Sequence, residues 1–207
     1  MNNTEQYVYV ARSASLDGTK SAMTWEAWIK TDAPSKGYQI IMEWSDHENT
    51  LGAQFFVKNG KELQTTLVTE DGRAPRLNVG SVLEGGWNHV ALTYGGGTAQ
   101  LYCNGMKVGN PLNVGGNLKT AKQFIIGRRR TNPSLNFVGQ IDEVRVWNRA
   151  LSAAEIAENR YRSLSSGNGL VASYNFNGSA ADASGQNLGK VAGGTGFGPS
   201  GIMVYSE

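Results

Sequence analysis

The sequence predicts an all-β protein in which two antiparallel sheets pack face to face. Runs of alternating polarity, rich in β-branched and aromatic residues, recur about every ten residues along the chain. Two Asn-Gly pairs join such runs, as expected of tight hairpins. The 27 glycines and five prolines suit many short strands connected by turns, and a chain of 207 residues can form one large sandwich.

Each run of strand character is bounded by turn residues. In chain order the runs are 7–10, 23–31, 38–44, 51–58, 62–69, 87–94, 98–103, 106–109, 123–128, 137–147, 169–176 and 202–205. Asn59-Gly60 and Asn104-Gly105 each separate two neighbouring runs and suit a type I′ turn, in which both central residues have positive φ. We therefore predict hairpins at these pairs, and surface loops over the Gly-, Asn- and Ser-rich segments 110–120 and 179–201.

One short helix is predicted near 153–164, directly after a strand. Ser152 and Glu155 have the spacing of a capping box, in which each side chain accepts a hydrogen bond from the backbone N–H of the other residue. Leu151 before the cap and Ile156 in the first turn can pack together as a hydrophobic staple. These features indicate a well-defined helix start.

Four segments carry a family resemblance. They are TWEAWIKT (24–31), WNHVALTYGGGTAQLYCNGMKVG (87–109), FIIGRR (124–129) and FVGQIDEVRVWNRALSAAEI (137–156). In this order, and over most of residues 7–165, they resemble the laminin G-like domains of the concanavalin A-type family. The resemblance implies a jelly-roll sandwich. It does not define the ligand, because this fold hosts lectins, glucanases, lyases and adhesive domains.

The closing part of the chain has two interpretations. Residues 169–193 resemble a segment that precedes the first strand in many relatives, whereas here the chain opens almost at the strand 7–10. Residues 169–207 either complete the same sandwich beside 7–10, as in a circular permutation, or begin a second domain. We favour a single domain over 1–207, because a lone strand pair would leave apolar surface and an unpaired edge.

The composition excludes several classes of protein. A net charge of +2 is too near neutral for a nucleic-acid binder or a general membrane-surface binder. No apolar run reaches the ~18 residues of a transmembrane helix. Cys103 is the single cysteine, which excludes an intrachain disulfide. The opening MNNTEQ shows no signal peptide, although the resemblance implies an extracellular or cell-surface protein.

A catalytic site is not predicted. Glucanases of this fold carry carboxylates two residues apart on one strand face, and the nearest candidates here are Glu43, Asp46 and Glu48. Glu43 and Asp46 are three residues apart, which places them on opposite faces of a regular strand. A retaining glycosidase needs a carboxylate pair about 5 Å apart. A polysaccharide hydrolase or lyase is therefore kept only as a third alternative.

The candidate sugar-binding residues surround one tryptophan. Sugar recognition needs an apolar ring for the C–H face of a pyranose and polar groups for its hydroxyls. Trp44 stands beside the polar run Asp46, His47, Glu48 and Asn49, so these five residues are the first predicted glycan site. The alternative interpretation of Trp44 is a packed tryptophan.

The second predicted site is the run Arg128, Arg129 and Arg130 after the strand at 123–128. A planar guanidinium can bind a carboxylate or sulfate of an acidic glycan through two hydrogen bonds. The alternative is a solvated cluster that protects a sheet edge. The sequence leaves both interpretations open.

A structural calcium ion is the predicted cofactor. The resemblance implies Ca²⁺ near the start of the strand containing Asp142, and Asp142 would share a face with Val144 and Val146, at the rim of an apolar surface. Such a carboxylate needs a cation or N–H donors. Oxygens of Asp182 and Asn177 could complete the shell. The alternative is that Asp142 accepts hydrogen bonds only.

The sequence therefore favours a non-catalytic, lectin-like module that binds a glycan or polysaccharide and contains calcium. The main alternative is a protein- or surface-adhesion module of a cell-surface or viral structural protein. The particular sugar and the oligomeric state are left open.

Overall fold

The computed structural model describes residues 7–32, 37–46, 51–193 and 197. Within these residues the chain is mainly β. The strands, numbered in chain order, are β1 (Tyr7–Ala11), β2 (Met23–Thr31), β3 (Tyr38–Ser45), β4 (Leu51–Lys58), β5 (Glu62–Leu67), β6 (Arg76–Val79), β7 (Asn88–Gly95), β8 (Thr98–Cys103), β9 (Met106–Asn113), β10 (Gln123–Ile126), β11 (Gly139–Trp147), β12 (Leu170–Tyr174) and β13 (Gly189–Ala192). The α-helices are α1 (Ala14–Asp17) and α2 (Ala153–Asn159), with 3-10 turns at Gly18–Lys20 and Pro133–Leu135.

The described strands form two antiparallel sheets. The seven-stranded sheet has the order β13-β1-β10-β3-β4-β5-β6, and the six-stranded sheet has the order β12-β11-β2-β7-β8-β9. One large apolar cluster, drawn from strands of both sheets, fills the space between them. The predicted two-sheet jelly-roll sandwich is confirmed.

Both predicted hairpins are present at the Asn-Gly pairs. Asn59 and Gly60 have φ of 51° and 66°, and Asn104 and Gly105 have φ of 50° and 83°. The pairs join β4 to β5 and β8 to β9, whose strands are hydrogen-bonded neighbours. Positive φ at both positions is what the type I′ turn requires.

Three short elements were not predicted from the sequence. The helix α1 and the strand β6 have four residues each, too few for a periodic pattern to stand out. The strand β13 lies inside the Gly-rich segment assigned to a loop, and its strand character depends on pairing with β1. β9 also continues to Asn113, into the other predicted loop. The predicted strand at 202–205 lies outside the described residues.

The closing segment contributes a strand to each sheet. β12 pairs with β11 in the six-stranded sheet, and β13 pairs with β1 in the seven-stranded sheet, where Tyr9 lies opposite Lys190. Pairing of this segment beside β1 is what the single-domain interpretation expects. The assignment of one domain to 1–207 as a whole stays a prediction.

The helix α2 begins as predicted and ends earlier. The Oγ of Ser152 accepts from the Glu155 N–H at 3.2 Å, and the Glu155 carboxylate accepts from the Ser152 N–H at 2.8 Å, which completes the capping box. The helix stops at Asn159 rather than near 164. Carbonyl groups at its end accept from side chains of the six-stranded sheet: Asn159 from Arg145, and Arg160 from Trp28. These contacts hold the chain on the sheet and prevent further helical turns.

A β-bulge in β11 changes the face on which Asp142 lies. Asp142 pairs with Trp28 and Arg145 with Glu26, so two residues of β11 oppose one residue of β2. Glu143 has φ of 48° at this irregularity. Asp142 therefore lies on the outer face of the sheet, whereas Val144 is in the core. The prediction that Asp142 shares the apolar face of Val144 and Val146 is wrong, because the inserted residue reverses the alternation.

Among the described helices, none is both long enough and apolar enough to cross a membrane.

Candidate functional site

The outer face of the six-stranded sheet is covered. Helix α2 packs on it through a small apolar cluster that includes Trp147, Leu151 and Ile156. Trp28, on the same face, donates from Nε1 to the carbonyl of Arg160 at 2.7 Å. Helix α2 and the residues after it thus leave little of this face open to a ligand.

A buried charged cluster lies beneath that cover. It consists of Glu26, His89, Glu143 and Arg145, all at most 3% exposed. Arg145 donates to the carboxylates of Glu26 and Glu143 at 3.3 and 2.9 Å and to the carbonyls of Asn159 and Arg162. The Trp147 indole donates to Glu26 at 3.0 Å. The cluster therefore attaches the segment after α2 to the sheet.

The protonation of this cluster follows from its surroundings. Burial alone would raise the pKa of Glu26, but the adjacent His89 and Arg145 outweigh it and lower the pKa. Burial lowers the pKa of His89, whose Nε2 lies 3.3 Å from the Glu26 carboxylate. The cluster is enclosed by protein, so we assign it a structural role.

The outer face of the seven-stranded sheet, called here the seven-strand face, carries a row of side chains across every strand. Directly paired residues of neighbouring strands point to the same face. From one edge to the other, the row is Lys190, Tyr9, Ile125, Glu43, Gln54, Thr66 and Arg76. The two cationic ends are exposed, and the centre is buried. This face combines amide, hydroxyl and charged groups.

At the centre of the row, Glu43 is 1% exposed and has only donors as partners among the described residues. Its carboxylate accepts from the Ser45 hydroxyl, the Gln54 amide and the Arg130 backbone N–H, the last at 3.1 Å. The Arg129 Nε lies 4.0 Å away. A second carboxylate is not among these contacts. Glu43 thus anchors the loop after β10 to the sheet, and its partners in the described part of the chain are hydrogen-bond donors and Arg129.

Aromatic rings lie on the same face near the β4–β5 turn. Tyr38 is 44% exposed, and its ring centre lies 5.4 Å from that of Phe56. The Lys58 Nζ lies 5.5 Å from the centre of the Tyr38 ring. Gln64 pairs with Phe56 in the register of β4 and β5 and brings an amide beside the rings. We call Tyr38, Phe56 and Lys58 the tyrosine cluster.

Sequence reasoning missed the tyrosine cluster, although a signal was present. Gln54, Phe56 and Lys58 alternate along β4, so they share one strand face that combines an amide, a ring and an amine. Tyr38 lies opposite Lys58 in the hairpin-like pairing of β3 and β4. The pattern was readable once the register between these strands was known.

The predicted arginines lie at the other side of this face. The Arg128 guanidinium is 4.8 Å from the centre of the Tyr7 ring, and the Arg130 Nη1 donates to the Tyr7 hydroxyl at 2.9 Å. All three arginines are partly exposed. We call Tyr7, Arg128, Arg129 and Arg130 the arginine cluster. The structure thus brings this predicted site onto the seven-strand face.

The predicted role of Trp44 requires correction. Trp44 is 2% exposed, packs in the core between the sheets, and donates from Nε1 to the Ala121 carbonyl at 3.0 Å. It therefore points away from the seven-strand face and does not present its ring to a sugar. Asp46, at the end of β3, is also buried, at 3% exposure. His47, Glu48 and Asn49 lie outside the described residues.

The three residues predicted to bind calcium lie in different surroundings. Asp182 accepts from the backbone N–H groups of Ser173, Ser184, Gln186 and Asn187 at 2.7–3.0 Å and from the Ser184 hydroxyl. Its carboxylate is therefore satisfied by donors. Asp142 accepts from the Glu143 N–H at 2.8 Å on the outer face of β11, and Asn177 is exposed. Among the described residues, no group of three metal-ligating acidic, His or Cys side chains occurs.

Removing the Asp182 carboxylate tests whether this residue serves as an acceptor for backbone N–H groups or as a calcium ligand. We expect Asp182→Ala to lower the free energy of unfolding by about 3 kcal/mol, because several buried N–H groups lose their acceptor. EDTA should leave the wild-type melting temperature unchanged, since backbone N–H donors already satisfy the Asp182 carboxylate. Thermal unfolding with EDTA and with added calcium checks both expectations. A rise of several degrees with calcium that is abolished in Asp182→Asn would contradict the assignment.

With this geometry established, the chain can be compared with known proteins. Residues 2–157 match the Laminin_G_3 model of the concanavalin A-like lectin/glucanases superfamily. The chain therefore belongs to that superfamily, and the resemblance seen in its motifs is confirmed. No curated protein matches it.

Solved structures share the fold at low sequence identity. A Bacteroides ovatus ATCC 8483 protein proposed to bind carbohydrate has a TM-score of 0.72 and 22% identity; the match covers 91% of this chain and 58% of that one. The heptameric SAP-like pentraxin of Limulus polyphemus has a TM-score of 0.57 and 18% identity, with 77% of each chain covered. The CBM40 of a Ruminococcus gnavus IT-sialidase, solved with alpha2,3 sialyllactose, has a TM-score of 0.59 and 18% identity. This match covers 70% of this chain and 85% of the CBM40 chain. The chain thus spans little more than half of the Bacteroides structure.

Proposed function

We propose that this chain is a non-catalytic carbohydrate-binding module and that it binds glycans on the seven-strand face. The observation that carries the proposal is the tyrosine cluster, in which an exposed ring stands beside amine and amide groups. Aromatic rings offer an apolar surface to the C–H face of a sugar, and the neighbouring polar groups can bind its hydroxyls.

The arrangement of the two sheets supports this choice of face. The outer face of the six-stranded sheet is occupied by α2 and its buried charged cluster. The seven-strand face instead carries exposed Lys190 and Arg76 at its ends and Tyr38 near one turn. The superfamily match and two similar structures, one of a protein proposed to bind carbohydrate and one solved with sialyllactose, agree with a glycan ligand.

A binding role without catalysis is supported by the surroundings of Glu43. The central carboxylate of the row is already bound by Ser45, Gln54 and the backbone of Arg130. It lies beside no acidic partner among its described contacts and holds a loop in place. We further propose that the protein works outside the cell or at its surface, where glycans are abundant, and that binding does not depend on calcium.

A matched pair of tyrosine variants tests the binding face. Tyr38 and Tyr161 are exposed to a similar extent, 44% and 42%, but Tyr161 lies beside Trp28 on the six-stranded sheet. On a glycan array followed by calorimetry, Tyr38→Ala should weaken binding about tenfold, as expected for losing one ring contact of about 1.4 kcal/mol. Tyr161→Ala should bind like the wild type.

Three results would count against the proposal. Absence of binding to any neutral or acidic glycan would favour the adhesion module, whose ligand is a protein. Equal losses in the two tyrosine variants would remove the seven-strand face from consideration. Release of reducing ends or unsaturated products from laminarin, alginate or agar would restore the enzymatic alternative.

A further inference from the structure

We infer that the arginine cluster recognises the acidic group of an anionic glycan, with Arg129 as the residue that contacts it. This inference rests on the proposed function and names the ligand class of the same face. The shared chemistry is a carboxylate or sulfate on a sugar, because the guanidinium group can bind either through two hydrogen bonds.

The first argument is the charge balance. The arginine cluster carries three guanidinium groups, and the described carboxylate beside Arg129 is that of Glu43, with the Arg129 Nε 4.0 Å away. Glu43 already accepts hydrogen bonds from Ser45, Gln54 and the Arg130 backbone. The Arg129 guanidinium has no described carboxylate within hydrogen-bond distance. Exposed Lys190, in the row beside Tyr9, adds a further positive charge to this face. A ligand that brings negative charge would pair with these groups.

The second argument is that two of the arginines are fixed and one is available. Arg128 stacks on the Tyr7 ring, and Arg130 donates to the Tyr7 hydroxyl, so Tyr7 holds both side chains. Arg129 has one described side-chain partner, the Glu43 carboxylate at 4.0 Å, which is too long for a hydrogen bond. Its side chain is 36% exposed. Arg129 therefore presents guanidinium donors to solvent beside a preorganised cationic surface.

The third argument comes from the orientation of the cluster. The Arg130 backbone N–H donates to Glu43, and this bond fixes the start of the loop against the sheet. The charges are consequently placed by the sheet itself, next to the polar row that begins at Lys190 and Tyr9. A preorganised charged site loses less conformational entropy on binding than flexible surface lysines. The acidic group of a sugar bound over the arginine cluster would meet Arg129.

Two arginine variants test the inference. Arg129→Gln removes the charge and keeps a polar, though shorter, side chain. Arg149→Gln is the matched control, because Arg149 is 32% exposed and pairs with Glu155, away from this face. Binding is measured by calorimetry at low and high salt with polygalacturonate, dextran sulfate and neutral dextran. We expect Arg129→Gln to weaken polyanion binding about tenfold, as for the loss of a charge-assisted hydrogen bond, and to reduce its salt dependence. Arg149→Gln should leave both the affinity for polyanions and its salt dependence unchanged.

The choice of polyanion distinguishes a carboxylate ligand from a sulfate ligand. The same measurements also separate failure of this inference from failure of glycan binding altogether. Preference for polygalacturonate identifies a carboxylate, and preference for dextran sulfate identifies a sulfate. If Arg129→Gln binds polyanions like the wild type, or if Arg149→Gln loses as much, the inference is overturned while glycan binding through Tyr38 stands. If the wild type binds neutral glycans with no preference for charged ones, the inference also fails alone. If it binds no glycan, the proposed function fails with it. Thermal unfolding of both variants verifies that they are folded.

Discussion

Replacing Arg145 by methionine is expected to lower the free energy of unfolding by about 3–5 kcal/mol, the cost of breaking a buried ion pair from one side. The variant would leave the Glu26 and Glu143 carboxylates buried without their cation. Burial disfavours the charged form of a carboxylate, and for Glu143 it already raises the pKa. Loss of Arg145 would increase that penalty for both groups.

The expected loss has a second source in the backbone. Arg145 also donates to the carbonyls of Asn159, the last residue of α2, and of Arg162 just after the helix. Without these bonds the segment after the helix loses its attachment to the six-stranded sheet. Hydrogen exchange at α2 should therefore accelerate more than exchange in the seven-stranded sheet, which distinguishes a local effect from general destabilisation.

Urea unfolding of Arg145→Met beside Arg12→Met provides the measurement. Arg12 forms an exposed ion pair with Asp17 at 2.7 Å, so its replacement should cost less than about 1 kcal/mol. Similar small losses in both variants would mean that the cluster around Glu26 contributes little to stability and would refute its assigned role.

Replacing Trp44 by alanine is the second change with a large expected effect, about 3–5 kcal/mol of unfolding free energy. The side chain is almost fully buried between the sheets and its indole N–H is bound to the Ala121 carbonyl. Truncation would create a large cavity and leave that carbonyl without its donor. If the ring instead served as a surface platform for sugar, the same change would reduce binding and leave stability intact.

The variant Trp44→Phe makes this test independent of complete unfolding. It keeps most of the ring volume and should fold with a smaller loss of stability. Chemical denaturation and glycan binding are measured on the same samples. Unchanged stability in Trp44→Ala, or folded Trp44→Phe with glycan binding reduced tenfold, would restore the role predicted from the sequence.

The sequence predicted features whose signal is local. Hairpin turns at Asn59-Gly60 and Asn104-Gly105 and the capping box at Ser152 each depend on a few adjacent residues, and all are present. The burial of Trp44 was also locally readable, because it follows Met42 by two residues and so shares its core-facing side of β3. The polar residues that follow Trp44 in the sequence instead favoured the prediction of an exposed sugar-binding ring.

Features that depend on distant partners could not be predicted. The bulge at Glu143 is defined by the register of β11 against β2, and it decides the face of Asp142. The role of Asp182 depends on backbone groups from β12 and its own loop, which converge only in the folded chain. The tyrosine cluster likewise needs the pairing of β3 with β4. In each case the missing information was the pairing of strands or loops.

The antiparallel pairing of β13 with β1 has a mechanical consequence. Tyr7 lies opposite Ala192, so the start of β1 and the end of β13 lie at one corner of the seven-stranded sheet. A pulling force applied between these two points would act across the first hydrogen bonds of the pair and break them one after another. This geometry unzips at lower force than one in which all the bonds are sheared together. Tension transmitted through neighbouring parts of the chain would therefore first peel away β13 and expose the edge of β1, while the core between the sheets remained closed.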